Sequence, residues 1–289
     1  MEQAIAVRPL RLNDNSALEA MDTGIEDDYV IRIFDRLIKS EDHELFGLFQ
    51  DKQMLAVGGY SLFGGNKFAM LGRLRSDRRY LKKGYATELL KPILRHLQNR
   101  SEVSWIGANT QVGNIPARRV FEKLDFHQSP ALYYLTLDQP QLLTGNTPGS
   151  VWEKRNDVTE KRELLLSLKK NKLGVFPYEC YYPLPYDPAL FIDDYLNNST
   201  FYKNKDGTRF VIIKNDIKKY EYSHVKYFWN DHYEQPGFFE TVLDHWKQNP
   251  SNVGCWIDFS HQGFDNIPDL SPYKVQDPWI LYEFWKDRH

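Results

Sequence analysis

The sequence predicts an α+β or α/β chain of two domains, the second a smaller α+β domain. Three observations predict it. The chain has 289 residues, about twice the ~100–150 of a common domain. Short alternating segments and helical periods follow one another in both halves, in a similar order. A turn-rich segment, Asp138–Ser150 (DQPQLLTGNTPGS), interrupts them near the middle and has no period of its own. We therefore expect a first domain over residues 1–138, a linker over 139–152 and a second domain over 153–289. Apolar residues make up 42% of the chain, so each half can bury a core.

In the first half, Ala4–Val7 alternates briefly and reads as a strand. Helical stretches follow at Asn15–Met21 and Tyr29–Lys39, the second with Val30, Ile33, Phe34, Leu37 and Ile38 at helical spacing. Three strands come next, Glu44–Gln50, Met54–Phe63 and Lys67–Arg75. They are joined by the turn formers Asp51-Lys52-Gln53 and Gly64-Gly65-Asn66, so both links read as hairpins. The helix Tyr85–Asn99 puts Ala86, Leu89, Leu90, Ile93, Leu94 and Leu97 on one face, with Pro92 expected to bend it. A strand at Ser104–Asn109, a short helix at Pro116–Leu124 and a strand at Leu132–Leu137 complete the half.

The second half opens with a helix at Thr159–Leu173, with Thr159 as its expected cap. The segment Val175–Pro188 is a loop rich in proline and tyrosine. Strands at Thr200–Lys203, Arg209–Lys214 and Tyr220–Trp229 follow, the first two joined by the turn Lys205-Asp206-Gly207. A helix at Phe238–Gln248 and strands at Val253–Phe259 and Trp279–Trp285 end the chain. Helix, three strands, helix, strand, strand repeats the first half. The order fits a diverged internal duplication; an unrelated α+β appendage is the alternative.

Composition excludes several classes. Charged residues are 26% of the chain and the net charge is −2, which argues against a nucleic-acid binder driven by bulk positive charge. No run approaches the ~18 apolar residues of a membrane span. The cysteines, Cys180 and Cys255, are too few for a disulfide framework or a zinc site. They read as free thiols of a cytoplasmic protein. His224, His232, His245 and His261 show no metal spacing.

The stretch that carries chemistry is Arg73–Glu88, RLRSDRRYLKKGYATE. A strand leads into a short loop, and the loop opens an amphipathic helix. The first N–H groups of a helix have no partner within it, and its dipole favours anions there. Gly84 lets backbone approach an anion closely, and Ala86 keeps the helix mouth open. Arg73, Arg75, Arg78, Arg79, Lys82 and Lys83 flank the loop, opposed only by Asp77. A ligand with several phosphates suits this; a solvated basic turn is the alternative reading.

Strand, glycine loop and helix, strand, then Asn-x-x-Ala on a short helix is an order that resembles the GNAT N-acetyltransferase superfamily. The matching residues are Leu81-Lys82-Lys83-Gly84-Tyr85-Ala86, and then Asn114-Ile115-Pro116-Ala117-Arg118-Arg119-Val120-Phe121-Glu122-Lys123-Leu124-Asp125-Phe126. The resemblance spans about residues 4–138. It implies the GNAT acyl-CoA N-acyltransferase fold on a mixed, mostly antiparallel sheet, with acetyl-CoA as co-substrate and no metal. It places the coenzyme pyrophosphate on the backbone of Lys82, Lys83, Gly84, Tyr85, Ala86 and Thr87. The pantetheine arm would pair with Arg73, Leu74, Arg75 and Ser76, and meet Asn114, Ala117 and Phe121 from the other side. Asn114 also suits a helix cap, and the two roles are compatible. An N–H of Arg73 or Leu74 would stabilise the oxyanion.

This sequence departs from the family in informative places. Leu81 stands where the loop usually starts with Gln or Arg, and Asp125 where a glycine precedes the final phenylalanine. Phe121 stands where relatives often carry a tyrosine that protonates the leaving thiolate. A thiol of pKa about 8.5 is a mild leaving group, so loss of that acid should slow the reaction rather than abolish it. An amine of pKa about 10.4 is only ~0.1% neutral at pH 7 and needs a base. The strand before the loop supplies no Glu or His. Glu26, Asp27 and Asp28 lie where the family's substrate wall is, as attractors of a cationic amine or as a helix-capping cluster. Tyr133 and Tyr134 are further candidates, Tyr134 being the catalytic choice, and core packing is the other role open to them.

The expected function is therefore acetyl transfer from acetyl-CoA to an amine, on a small molecule or a peptide. A non-catalytic coenzyme A-binding sensor or interaction protein is the competing class, and use of another acyl-CoA a third. A homodimer is compatible with the sequence. The second half would be a degenerate GNAT-like unit that shapes the acceptor pocket. Its segment Asn230–Gly237 (NDHYEQPG) contains no Lys or Arg, so it should bind no coenzyme of its own. Tyr178, Tyr181, Tyr182 and Tyr186 would line a substrate cleft or form a rigid packed loop.

Overall fold

The computed structural model describes residues 5–80 and 83–286. Strand β1 (Ile5–Pro9) is followed by three short helices, α1 (Asn15–Glu19), α2 (Tyr29–Arg32) and α3 (Phe34–Lys39). The single helix expected over Tyr29–Lys39 is two, broken at Ile33 (φ −106°, ψ 10°). Val30, Ile31 and Ile33 are β-branched and weaken the helix where it breaks. The meander β2 (His43–Gln50), β3 (Gln53–Phe63) and β4 (Phe68–Ser76) follows. Its tight turns hold Asp51 at φ 54° and Gly64, Gly65 and Asn66 at φ 57°, 64° and 70°. Helix α4 (Tyr85–Asn99) continues through Pro92. Strand β5 (Trp105–Gln111), helix α5 (Ile115–Glu122) and strand β6 (His127–Gln128) come next.

The next strand, β7 (Tyr133–Leu137), belongs to a second sheet with β8 (Glu153–Arg155). Helix α6 covers Val158–Leu166, shorter than the expected Thr159–Leu173. Its cap is Asp157, whose carboxylate accepts from Glu160 N at 2.8 Å. It ends where Ser167 Oγ donates to Leu164 O at 2.9 Å, a local bond that competes with helix continuation. The proline- and tyrosine-rich segment is a hairpin, β9 (Phe176–Glu179) and β10 (Tyr182–Leu184). Helix α7 (Asp193–Asn197) precedes β11 (Thr200–Lys203), β12 (Phe210–Ile217) and β13 (Glu221–Lys226). Helix α8 (Phe238–Lys247), β14 (Cys255–Phe259), α9 (His261–Asp265), β15 (Tyr273–Val275) and β16 (Trp279–Trp285) end the chain.

The chain divides into two compact units. One contains Met1–Thr110, Asn114–Ser129 and Tyr282–His289; the other contains Gln111–Gly113 and Pro130–Leu281. The first sheet runs β1-β2-β3-β4-β5-β16-β6 and the second, read from its other edge, β8-β11-β12-β13-β14-β7-β15. The orders correspond position by position. In each, the parallel pair is the same one: β4 with β5, and β13 with β14. The two sheets thus share one strand order. The sixth position is exchanged, however. The strand that ends the first half, β7, sits in the second sheet, and the last strand, β16, sits in the first. A linear division at residue 138 therefore gives way to an interleaved one. Extended segments of alternating residues do not say which sheet edge they will fill.

Each sheet is covered by apolar side chains. In the first unit Leu10, Leu18, Met21, Val30, Phe34 and Leu37 pack on Leu45, Phe49, Met54 and Val57. Helix α4 buries Leu89, Leu90, Ile93, Leu94 and Leu97. In the second unit α8 buries Phe238, Phe239 and Val242 in a cluster with Val211, Ile213, Val225 and Ile257. Among the described residues no helix is long and apolar enough to cross a membrane.

Candidate active site

The parallel pair of the first sheet is short. β4 and β5 are in register from Phe68↔Trp105 to Leu71↔Ala108, but β4 continues to Ser76 and β5 to Gln111. Beyond Leu71 the backbone of β4 loses its β5 partner while it stays paired with β3, through Val57↔Arg75 and Ala56↔Ser76. The β3–β4 register shifts between Val57 and Gly59, opposite Arg73 and Leu74. Arg73 takes φ 57°, a left-handed conformation rare for a long side chain. Such a bulge leaves an extra backbone N–H outside the ladder. The expected oxyanion donor and the expected pantetheine-pairing segment therefore coincide with a split edge and a bulge.

Helix α4 starts immediately beyond. Gly84 caps it at φ 81°, ψ 8°, with no side-chain capping bond. The first helical bond is Glu88 N to Gly84 O at 3.0 Å. The N–H groups of Tyr85, Ala86 and Thr87 have no acceptor among the described residues. A Cβ built on Gly84 would meet no atom of the described residues within 4 Å. The residue thus needs glycine's backbone freedom and faces open space. Leu81 and Lys82, at the start of the expected pyrophosphate loop, lie outside the described residues.

The basic side chains around this mouth are mostly committed elsewhere. Arg75 grips the buried carboxylate of Asp28, Nε to Oδ2 at 2.8 Å and Nη2 to Oδ1 at 3.2 Å. Arg78 donates to Gly24 O at 3.1 Å. Arg79 pairs with Asp77 and also donates to Ala20 O. Arg73 donates to Ser61 Oγ at 2.9 Å. Lys83 is exposed beside the mouth. Of the acidic cluster, Asp28 caps α2 by accepting from Val30 N at 3.0 Å, and Asp27 lies 3.4 Å from Arg32. Capping and structural pairing are thus the visible roles of these acids.

The second motif is equally well placed. Asn114 caps α5, its Oδ1 accepting from Ala117 N at 3.4 Å and its Nδ2 donating to Thr110 Oγ1 at 3.1 Å. Phe121 is buried against Phe126 at 5.8 Å and Tyr282 at 5.4 Å. Tyr282 comes from β16, and its hydroxyl accepts from Arg118 Nε at 3.3 Å. One group was not singled out in the sequence. His43 Nδ1 lies 2.9 Å from Ser61 Oγ, the atom that also accepts from Arg73. A histidine is therefore linked through one hydroxyl to the bulge residue. The signal was the pairing His43↔Ser61 across two strands, which needs the register and not the spacing.

Comparison with known proteins identifies the first domain. The acetyltransferase (GNAT) family model matches residues 13–126. Residues 13–126 are a GNAT acetyltransferase domain. The GNAT likeness in fold extends over the whole chain. A GCN5-related N-acetyltransferase from Sphaerobacter thermophilus superposes with a TM-score of 0.62 at 11% identity, covering 98% of this chain and 96% of that one. A Pyrococcus horikoshii protein assigned as an acetyltransferase gives 0.58 at 12%, covering 99% and 90%. A Thermoplasma acidophilum protein with the same assignment gives 0.53 at 17%, covering 96% and 91%. No curated protein matches the sequence.

The second unit carries a counterpart of the α4 mouth, and it is filled. Gly237 caps α8 at φ 79°, ψ 5°, nearly the conformation of Gly84. A Cβ there would lie 2.0 Å from Ser150 O. Gly237 N donates to Thr147 O at 3.3 Å, and Trp152 Nε1 donates to Pro236 O at 2.8 Å. Residues 147–152, expected as a linker, thus pass over the mouth. Tyr134 lies in this second unit. Its ring stacks on Trp256 at 4.2 Å and its hydroxyl donates to Gln276 Oε1 at 2.9 Å, while Tyr133 stacks on Phe264 at 4.4 Å. Core packing is the role visible for both. The tyrosines of the hairpin segment are packed too: Tyr178 on Tyr195 at 4.5 Å, Tyr181 on Trp256 at 4.8 Å, and Tyr186 donating to Leu165 O.

Proposed function

We propose that this chain transfers an acetyl group from acetyl-CoA to an amine, with one coenzyme site, in the first unit. The observation that carries this reading is the α4 mouth. Three N–H groups converge behind a left-handed glycine with open space in front, beside a split strand pair. Such a mouth binds a pyrophosphate through backbone donors and the helix dipole. With the arginines engaged by Asp28, Asp77 and backbone carbonyls, phosphate binding rests on these N–H groups and on lysine. The coenzyme supplies an acyl thioester. The free edge of Arg73–Ser76 pairs with its pantetheine amides, and the N–H released at the Arg73–Leu74 bulge stands ready for the oxyanion. Lys83, Gly84, Tyr85, Ala86 and Thr87 hold the pyrophosphate, and Asn114, Ala117 and Phe121 border the arm.

The acceptor amine attacks the thioester directly, and the leaving thiolate is protonated by solvent or by a group other than Phe121. The absence of a titratable side chain at Phe121 favours a second reading, a coenzyme-binding sensor. Release of thiol in an amine panel separates the two. Calorimetry with Gly84→Val tests the shared part. A β-branched residue resists φ 81° and its side chain enters the open space, so acetyl-CoA affinity should fall at least ~10-fold, or about 1.4 kcal/mol. Unchanged affinity would place the pyrophosphate elsewhere.

A further inference from the structure

One face of the second sheet carries charged and titratable side chains beside the packed rings of Tyr134 and Trp256. Alternation along the strands puts Lys214 and Asp216 of β12, His224 and Lys226 of β13, and Asp258 of β14 opposite the apolar core. The β9–β10 turn brings Cys180 onto this face, and its backbone N donates to Asp216 Oδ2 at 2.6 Å. We propose that Cys180, Asp216 and His224 form a site for a borderline transition-metal ion, zinc(II) above all, which pins the hairpin to the sheet.

The argument is one of donors and geometry. One ligand atom from each of the three lies within 4.8 Å of the other two. A thiolate, a carboxylate and an imidazole form a donor set that zinc accepts. His224 is fully buried. Its Nε2 bonds to Asp258 Oδ2 at 2.6 Å, while Nδ1 has neither solvent nor a partner among the described residues. Such a lone nitrogen is costly unless something fills it. A carboxylate behind one ring nitrogen, with the other nitrogen free, is the arrangement that orients a metal-binding histidine. Asp216 is 11% exposed at its side chain, which leaves a way in from solvent.

Charge closes as well. On binding, the thiol gives its proton to solvent and an S–metal bond forms; thiolate and Asp216 carboxylate then match a divalent ion. Lys218 lies 2.9 Å from Glu179 and 3.3 Å from Asp216, and Glu179 balances its charge when Asp216 turns to the ion. The Lys226 ammonium turns to Tyr195 OH at 2.5 Å and Tyr178 O at 3.1 Å. Tetrahedral zinc draws its ligands to about 2.0–2.3 Å, so the hairpin closes by on the order of 1 Å.

The test uses the full-length chain, stripped with a chelator and titrated with cobalt(II). One cobalt per chain should bind, with a thiolate-to-cobalt charge-transfer band in the near ultraviolet that zinc(II) abolishes. Cys180→Ser should lose the band with its far-ultraviolet dichroism intact. Asp258→Asn should weaken cobalt about 10–100-fold, the usual effect of removing a carboxylate behind a ligating histidine. Should Cys180→Ser fail to fold, Asp216→Asn, at the partly exposed position, should keep the band and bind at least ~10-fold more weakly. No band in the parent, an equal band in a folded Cys180→Ser chain, or undiminished affinity in Asp216→Asn would overturn the site.

Discussion

Gly84 and Gly237 share one backbone conformation and have opposite surroundings. The first faces open space and the second faces Ser150 O, so a ligand can approach one and not the other. Sequence shows the glycine but not what stands before it. The arginines tell the same story. Their clustering beside the loop was legible, but Asp28, which holds Arg75, lies 47 residues away, and Gly24 and Ala20 claim the others. Residue-scale burial also sets a pH response. His232 sits among Tyr227, Phe238 and Phe259 at 4.8, 5.3 and 4.5 Å, and burial pushes its pKa down to about 3. The folded imidazole then stays neutral where the unfolded one, with pKa about 6.5, takes a proton. Its contribution is complete above about pH 6.5 and is lost as the pH falls towards 3. At about 1.4 kcal/mol per pKa unit this amounts to a few kcal/mol. His232→Phe should therefore flatten the fall in Tm between pH 7 and 4. The flattening is partial, because burial also lowers His245, to about 4, and His224. A variant with the parent's full acid slope would remove His232 as a source.

At the scale of elements, legibility followed the strength of the local signal. The face of Leu89, Leu90, Ile93, Leu94 and Leu97 is a long uninterrupted period, and the helix stands at Tyr85–Asn99 as expected. Turn residues with positive φ marked both first hairpins. The hairpin Phe176–Leu184 was hidden because Pro177 and Pro183 read as loop. Its strands instead pair with each other in a short two-stranded sheet, and proline is tolerated at such edges. The split of β4 from β5 was not legible at all, since it is the end of a register. The passage of residues 147–152 over α8 was invisible for a similar reason. Thr147, Ser150 and Trp152 meet the helix mouth 84–90 residues further along the chain, as Trp152 Nε1 does at Pro236 O. That passage has a measurable consequence. Titration of the full-length chain with acetyl-CoA should saturate at one per chain, because the mouth capped by Gly237 is closed by backbone. Saturation at two would mean that the segment leaves the mouth.

At the scale of the molecule, the two sheets have one order and exchange one strand, and this decides how the chain can be cut. Tyr282 is fully buried in the first unit. It packs against Phe121, and the Cα register of its strand with β6 runs Tyr282↔Gln128 and Glu283↔His127. Glu283 accepts from Trp105 Nε1 at 3.1 Å, and Lys286 N donates to Ser104 O at 3.1 Å. A unit that began and ended within residues 1–138 would lack all of these and would carry β7 as a spare strand. Full burial of one large apolar side chain contributes about 1.5–3 kcal/mol. Deleting β16 removes Ile280, Leu281 and Tyr282, all buried, so the loss is on the order of the ~5–15 kcal/mol that holds a whole domain together. It also leaves β5 and β6 with open edges, which are templates for aggregation. A chain truncated before Trp279 should therefore be recovered aggregated or unfolded by size-exclusion chromatography and circular dichroism, and should lose acetyl-CoA binding although every residue of the α4 mouth is intact. A truncated chain that stayed monomeric, kept the parent's Tm and bound acetyl-CoA as well would show that the exchanged strand is dispensable.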